Sequence, residues 1–174
     1  MKKILLLLVL FFALSLDAQN IRVYNFNGAP HNAGSVAELF EEYHSKGKRK
    51  SGNVILQRVQ FQNNVTHRVL VTGDPNNWGS AIERPESDWR AYLRGTRPFR
   101  KPSMGSYTAT SAYWKAGNRE KYHYGQQWLI KVKDPASYAA AWVKFAKAIG
   151  PMIGERMMGL GSLSMGDLEG ATHY

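Results

Sequence analysis

The chain has 174 residues, 23 Lys and Arg against 13 Asp and Glu, a net charge of +10 and no cysteine. Without thiols there are no disulfides, no thiolate catalysis and no Cys-ligated metals, so stability has to come from packing. The positive balance favours anionic partners, phospholipid head groups or acidic polysaccharide in an exported protein, and no nucleic acid is expected.

Lys2 and Lys3 precede an apolar run over 4–16, and the polar Asp17-Ala18-Gln19-Asn20 follows. Thirteen residues at the helical rise span roughly 20 Å, short of a bilayer core of about 30 Å. That layout predicts a cleavable signal peptide over 1–18 rather than a membrane anchor, and a periplasmic or secreted bacterial protein. Cleavage is expected after Ala18, with Ala13-Leu14-Ser15 an earlier alternative. It leaves 156 residues and a net charge of +9, because two lysines and one aspartate depart.

Residues 21–26 alternate as a strand. Ser35 and Glu38 have the spacing of a capping box ahead of a helix burying Val36, Leu39, Phe40 and Tyr43. Strands are expected over 54–61 and 65–71, with Asn63-Asn64 as their turn. Asp74-Pro75-Asn76-Asn77-Trp78-Gly79 reads as a turn, with Asx side chains bonding to the backbone. A helix over 87–93 and a Pro/Gly/Ser-rich stretch to Gly105 complete a first unit, 19–126, with a loop-rich extension.

The same order recurs from residue 127. A strand is expected over 127–132, then a helix opened by Asp134-Pro135 with Tyr138, Trp142, Phe145 and Ile149 on one stripe. A glycine-weakened strand over 157–165, a turn over 166–170 and a returning strand over 171–174 follow. At an offset of 106 residues, 53–67 aligns with 159–173 without a gap. Both segments end in Thr-His, Thr66-His67 and Thr172-His173. The second unit, 127–174, reads as incomplete.

Strand–helix–strand–strand–helix–strand is the ferredoxin-like order. A tandem pair of such βαββαβ units resembles the dimeric α+β-barrel group, which includes the antibiotic-biosynthesis-monooxygenase-like proteins. The resemblance covers roughly 20–72 and 127–174 and rests on element order. It implies an α+β fold with a cavity between each sheet and its helices. Members include cofactor-independent oxygenases, haem-handling enzymes and proteins of no known activity.

His67 shares a strand face with Val65, Val69 and Val71. An imidazole on an apolar face is a candidate general base or metal or haem ligand, and His173 is its counterpart. The competing reading is a core histidine satisfied by hydrogen bonds. No histidine pair has the helical i, i+4 spacing of a zinc site, so no metal and no cofactor is expected. Trp114, Arg119, Tyr122 and Trp128 are candidate ligand-binding residues, because aromatic faces beside cations can stack on a sugar or planar ligand. Packing between the units explains the same residues. Arg94, Arg97, Arg100 and Lys101 form a basic loop.

The function expected is binding of a small or anionic ligand in a barrel cavity. The alternatives are a cofactor-independent monooxygenase-like enzyme using His67, and an envelope-surface interaction protein.

Overall fold

Ile21, Val23 and Asn25 are buried while Arg22 and Tyr24 are exposed, the period of two that makes Asn20–Asn27 a half-buried strand, β1. The computed structural model describes residues 19–62, 64–99, 101–102, 105–166 and 170–174, apart from the side chains of Pro30 and Pro102. The expected signal segment 1–18, Asn63, Arg100 and part of the turn after 166 lie outside the described residues.

β1 is central. It pairs with β3 (His67–Gly73) on one edge and β5 (Tyr107–Lys115) on the other. β2 (Val54–Arg58) lies outside β3 and β6 (Met158–Met165) outside β5, giving the order β2-β3-β1-β5-β6 with every neighbouring pair antiparallel. A short strand, β4 (Lys101–Pro102), pairs with the end of β1. Among the described residues three α-helices complete the α+β architecture: α1 (Ala33–His44), α2 (Glu86–Thr96) and α3 (Pro135–Ile149). Setting β4 aside, the order as far as β5 is strand, helix, strand, strand, helix, strand.

The two faces of the sheet differ. On one, Tyr24, Phe26 and Val69 meet Val36 of α1 and Tyr92 and Thr96 of α2 around a cavity of about 40 Å³. Tyr43 of α1 stacks on Tyr92 of α2, with ring centroids 4.7 Å apart. On the other face Ile21, Val23, Tyr107 and Ala109 form the innermost core, joined by Leu70, Leu163 and Tyr174. The register places Val23 opposite Leu70 and Asn25 opposite Arg68. Arg68, Leu70 and Thr72 therefore face this core, while His67, Val69 and Val71 face the helices.

Several local expectations shift. α1 begins at Ala33, after a 3-10 turn over Pro30–Asn32, so Ser35 lies inside the helix and the capping box does not form. β2 ends at Arg58, shortly before Phe61 and Asn64, which take positive φ angles of 63° and 57°. Asp134 caps α3 by accepting from Ser137 N at 3.1 Å, and Asp74 closes its Asx turn by accepting from Asn76 N at 2.8 Å. β6 forms despite its glycines because they make room for rings. A Cβ on Gly161 would sit 2.1 Å from the Tyr174 ring, and one on Gly159 2.6 Å from Trp114.

The segment 127–132 is not a strand. Ile130 alone bridges to His173, and Trp128 and Leu129 are exposed. Where β1 has a partner strand on each side, the backbone of this segment bridges only to the 171–174 return.

Candidate functional site

β3 carries two buried polar side chains in succession, pointing to opposite faces. His67 is 4% exposed and Arg68 9%.

The His67 ring stacks on Phe26 at 5.4 Å, and its Nδ1 lies 2.9 Å from Thr66 Oγ1. His173, 1% exposed, has its Nδ1 2.9 Å from Thr172 Oγ1 and its ring 5.2 Å from Tyr138 of α3. The surrounding bonds correspond as well. Thr66 N donates to Phe26 O as Thr172 N donates to Ile130 O. Val59 N donates to Thr66 O as Leu163 N donates to Thr172 O. Gly28 N donates to Thr66 Oγ1, and Val132 N donates to Thr172 Oγ1. The Thr-His pairs stand 106 residues apart, but their partners stand 104 apart. The gapless alignment of 53–67 with 159–173 is thus two residues off before the turn. An even displacement keeps every side chain on its original face.

Each threonine hydroxyl also lies near a backbone carbonyl, Gly28 O at 3.0 Å or Ile130 O at 3.2 Å. One hydroxyl proton serves either the carbonyl or Nδ1; in the first case the imidazole carries its proton on Nδ1 and donates to the hydroxyl. Burial lowers the pKa of both rings, with Arg58 adding to the effect at His67. Both are neutral at pH 7. The cavity of about 40 Å³ on the helix side of the sheet is not lined by His67.

His44 is the most perturbed imidazole. It packs on Phe40 at 4.3 Å, and burial, with Arg84 and Arg49 nearby, lowers its pKa to about 4. The unfolded chain takes up a proton here below about pH 6.5 while the folded chain does not until about pH 4. Stability held at pH 7 is therefore lost as pH falls through that window. By pH 5 His44 is expected to cost about 2 kcal/mol. Urea denaturation at pH 7 and pH 5 checks this, with His44→Gln flattening the difference.

Arg68 is the group whose surroundings ask for a ligand. Its Nη2 donates to Gln62 Oε1 at 2.9 Å and its Nη1 to Gln127 Oε1. Its Nε is buried with no hydrogen-bond partner among the described residues. No carboxylate among them lies within ion-pair distance of Arg68. Burial lowers the guanidinium pKa, and a charge interaction with Tyr107 acts the other way. Gln127 Nε2 in turn donates to the Tyr107 hydroxyl, whose pKa burial raises. Tyr107 lies 5.8 Å from Tyr174, whose hydroxyl burial pushes up further. The result is a buried cation covered by two neutral amides beside a tyrosine-lined apolar core. Gln127 is exposed, so one of the covering amides is free to move into solvent.

Arg68 escaped the sequence reading because a lone arginine in a strand carries no motif. Its alternation with Leu70 and Thr72, opposite His67, was the available signal. The anticipated binding residues do not converge. Trp114 packs over Gly159, and Tyr122 carries the Arg156 guanidinium 4.8 Å above its ring. Arg119 is exposed in a turn, and Trp128 is 61% exposed. No ring contact joins Trp114, Tyr122 and Trp128 among the described residues. No cluster of His, Asp or Glu suited to a metal ion occurs among them. A depression of about 630 Å³ follows the outer side of α2. All its lining residues belong to that one helix, and Arg90 is already paired with Glu86 at 2.9 Å, so no chemistry converges there.

No known protein family matches the chain, and neither a curated protein nor a solved structure is similar to it.

Proposed function

We propose that the chain is an exported protein of the α+β-barrel type, built from two tandem ferredoxin-like units, and that it binds a small carboxylate through Arg68. The observation that carries the binding reading is the Arg68 guanidinium, nine-tenths buried, with an unused Nε and no acidic partner among the described residues. A buried charge costs several kcal/mol unless paired. A carboxylate offers the planar pair of oxygens that a guanidinium binds most strongly. Tyr107, which Gln127 links to Arg68, belongs to the same apolar core as Leu70 and Tyr174, and such a core suits a ligand with an apolar or aromatic body.

The sheet order β2-β3-β1-β5 with helices between β1 and β2 and between β3 and β5 supports a ferredoxin-like first unit. The matched hydrogen bonds around Thr66-His67 and Thr172-His173 support a duplication. Export rests on Lys2, Lys3 and the apolar run, and no helix among the described residues is long and apolar enough to cross a membrane. The oxygenase alternative asks for a substrate cavity at His67; the enclosed, hydrogen-bonded ring lends it no support.

Calorimetric titration with acetate, hexanoate and benzoate tests the proposal. Saturable binding of at least one is expected, weakened at least tenfold, about 1.4 kcal/mol, in Arg68→Gln. Equal affinity in the variant, or no binding of any of the three at about 10 mM, where even a Kd of about 1 mM would register, contradicts it.

A further inference from the structure

Besides Arg68, a group of cations without acidic partners among the described residues gathers around Trp78. The Arg22 guanidinium of β1 sits 4.9 Å from the Trp78 ring centroid, and that of Arg49 sits 4.7 Å from the same centroid. Two loops hold this arrangement. Lys50 N donates to Gly79 O at 3.1 Å and Ala81 N to Lys48 O at 2.7 Å. Ser51 Oγ donates to Asn77 O at 2.7 Å and accepts from Asp74 N at 2.9 Å. Gly73 brings the ends together, since a Cβ there would meet both Ser51 and the Trp78 ring at 3.0–3.2 Å.

The loops are ordered by their own backbone, yet they bring like charges together. Arg49 Nε donates to Ser51 O at 3.2 Å, whereas its Nη2 is buried without a partner among the described residues. Burial and the neighbouring Arg22 both disfavour its charged form. Lys48 and Lys50 flank it and are exposed. No Asp or Glu among the described residues pairs with any of the four cations. Asp74, the acid of the same loops, has an oxygen occupied by its own turn. A guanidinium nitrogen left unsatisfied costs about 1–3 kcal/mol, and the local repulsion adds to that cost. An anion at this position offsets both.

We infer that Arg22, Lys48, Arg49, Lys50 and Trp78 form a surface site for a polyanionic chain, an acidic polysaccharide carrying sulfate, phosphate or carboxylate groups. A chain suits the site better than a single oxyanion, because four cations on two loops and a strand offer more donors than one anion accepts. A membrane suits it less well. Trp78 is half-buried and has two guanidinium groups against its ring, which disfavours its insertion into lipid.

The probe is a heparin-derived oligosaccharide, titrated at about 0.15 M salt, where charges beyond about 8 Å are screened, with tryptophan fluorescence as readout. The double variant Arg22→Ala/Arg49→Ala is expected to bind at least tenfold more weakly than the natural chain. The charge-matched control Arg90→Ala/Arg94→Ala, on the exposed side of α2, is expected to bind within twofold of it. An equal loss in the control overturns the site in favour of diffuse attraction, and so does an unchanged first variant. Binding to phosphatidylglycerol vesicles without binding to the oligosaccharide overturns it in favour of a membrane. Should Arg22→Ala/Arg49→Ala fail to fold, Lys48→Ala/Lys50→Ala changes only exposed side chains. It is expected to weaken binding at least threefold, and no change overturns the site.

Discussion

Thr66→Val and Thr172→Val are each expected to destabilise the protein by about 3 kcal/mol, with the two losses equal to within about 1 kcal/mol. The substitution keeps volume and removes the hydroxyl alone. In the first variant Gly28 N and His67 Nδ1 lose their partner; in the second Val132 N and His173 Nδ1 do. Both imidazoles are shut off from water, so nothing replaces the lost bonds. Thr→Ser at either position restores the oxygen and is expected to recover most of the loss. Urea denaturation of the four variants checks this. A loss below about 0.5 kcal/mol at either site would make that hydroxyl incidental and remove the energetic parallel between the two halves.

Arg68→Met is expected to act in the opposite sense on stability while abolishing carboxylate binding. Breaking a buried ion pair is costly because a charge is stranded, but here the charge is already unpaired among the described residues. Exchange for an apolar side chain of similar length removes the desolvation cost, and Gln127, being exposed, finds water in its place. Without ligand the variant is expected to match the natural chain or exceed it by about 1–2 kcal/mol. A loss of more than about 2 kcal/mol would show that Arg68 is held for structure, since its hydrogen bonds to Gln62 and Gln127 would then outweigh its burial.

The sequence exposes the fold in uneven portions. Alternation in β1 and β3, the apolar stripe of α1 and the Asp134-Pro135 start of α3 are local signals, and each element appears close to its expected place. β6 reads as a weak strand because a one-dimensional pattern cannot show that Tyr174 and Trp114 occupy the space above Gly161 and Gly159. The 127–132 segment has a strand's composition but forms a β-bridge only at Ile130. Pairing is a property of neighbours that composition does not contain. The Thr-His coincidence was legible, though its alignment was two residues off around the turn, since spacing between identical residues says nothing of how long an intervening turn is.

The candidate site was half legible for a related reason. His67 attracts notice because its residue type titrates near neutral pH, and its face was readable from the alternation. Arg68 gains its meaning from Gln62, six residues earlier, and from Gln127 and Tyr107, brought from elsewhere in the chain. Trp114, Arg119, Tyr122 and Trp128 attracted notice by composition, but the fold spends them on separate contacts or leaves them exposed. The Arg22–Trp78–Arg49 cluster likewise depends on two loops meeting, with Trp78 in what reads locally as a simple Asx turn.

On the proposed function, the Arg68 guanidinium waits for an anion. The most direct measurement is the arginine Nε–H region of a proton–nitrogen correlation spectrum, with the Arg68 signal assigned by its loss in Arg68→Lys, recorded while benzoate is added. A slowly exchanging Nε–H signal is expected, shifting saturably with benzoate at the same midpoint as the calorimetric titration. An Arg68 signal that stays fixed while benzoate binds would contradict it, because the ligand would then be held elsewhere.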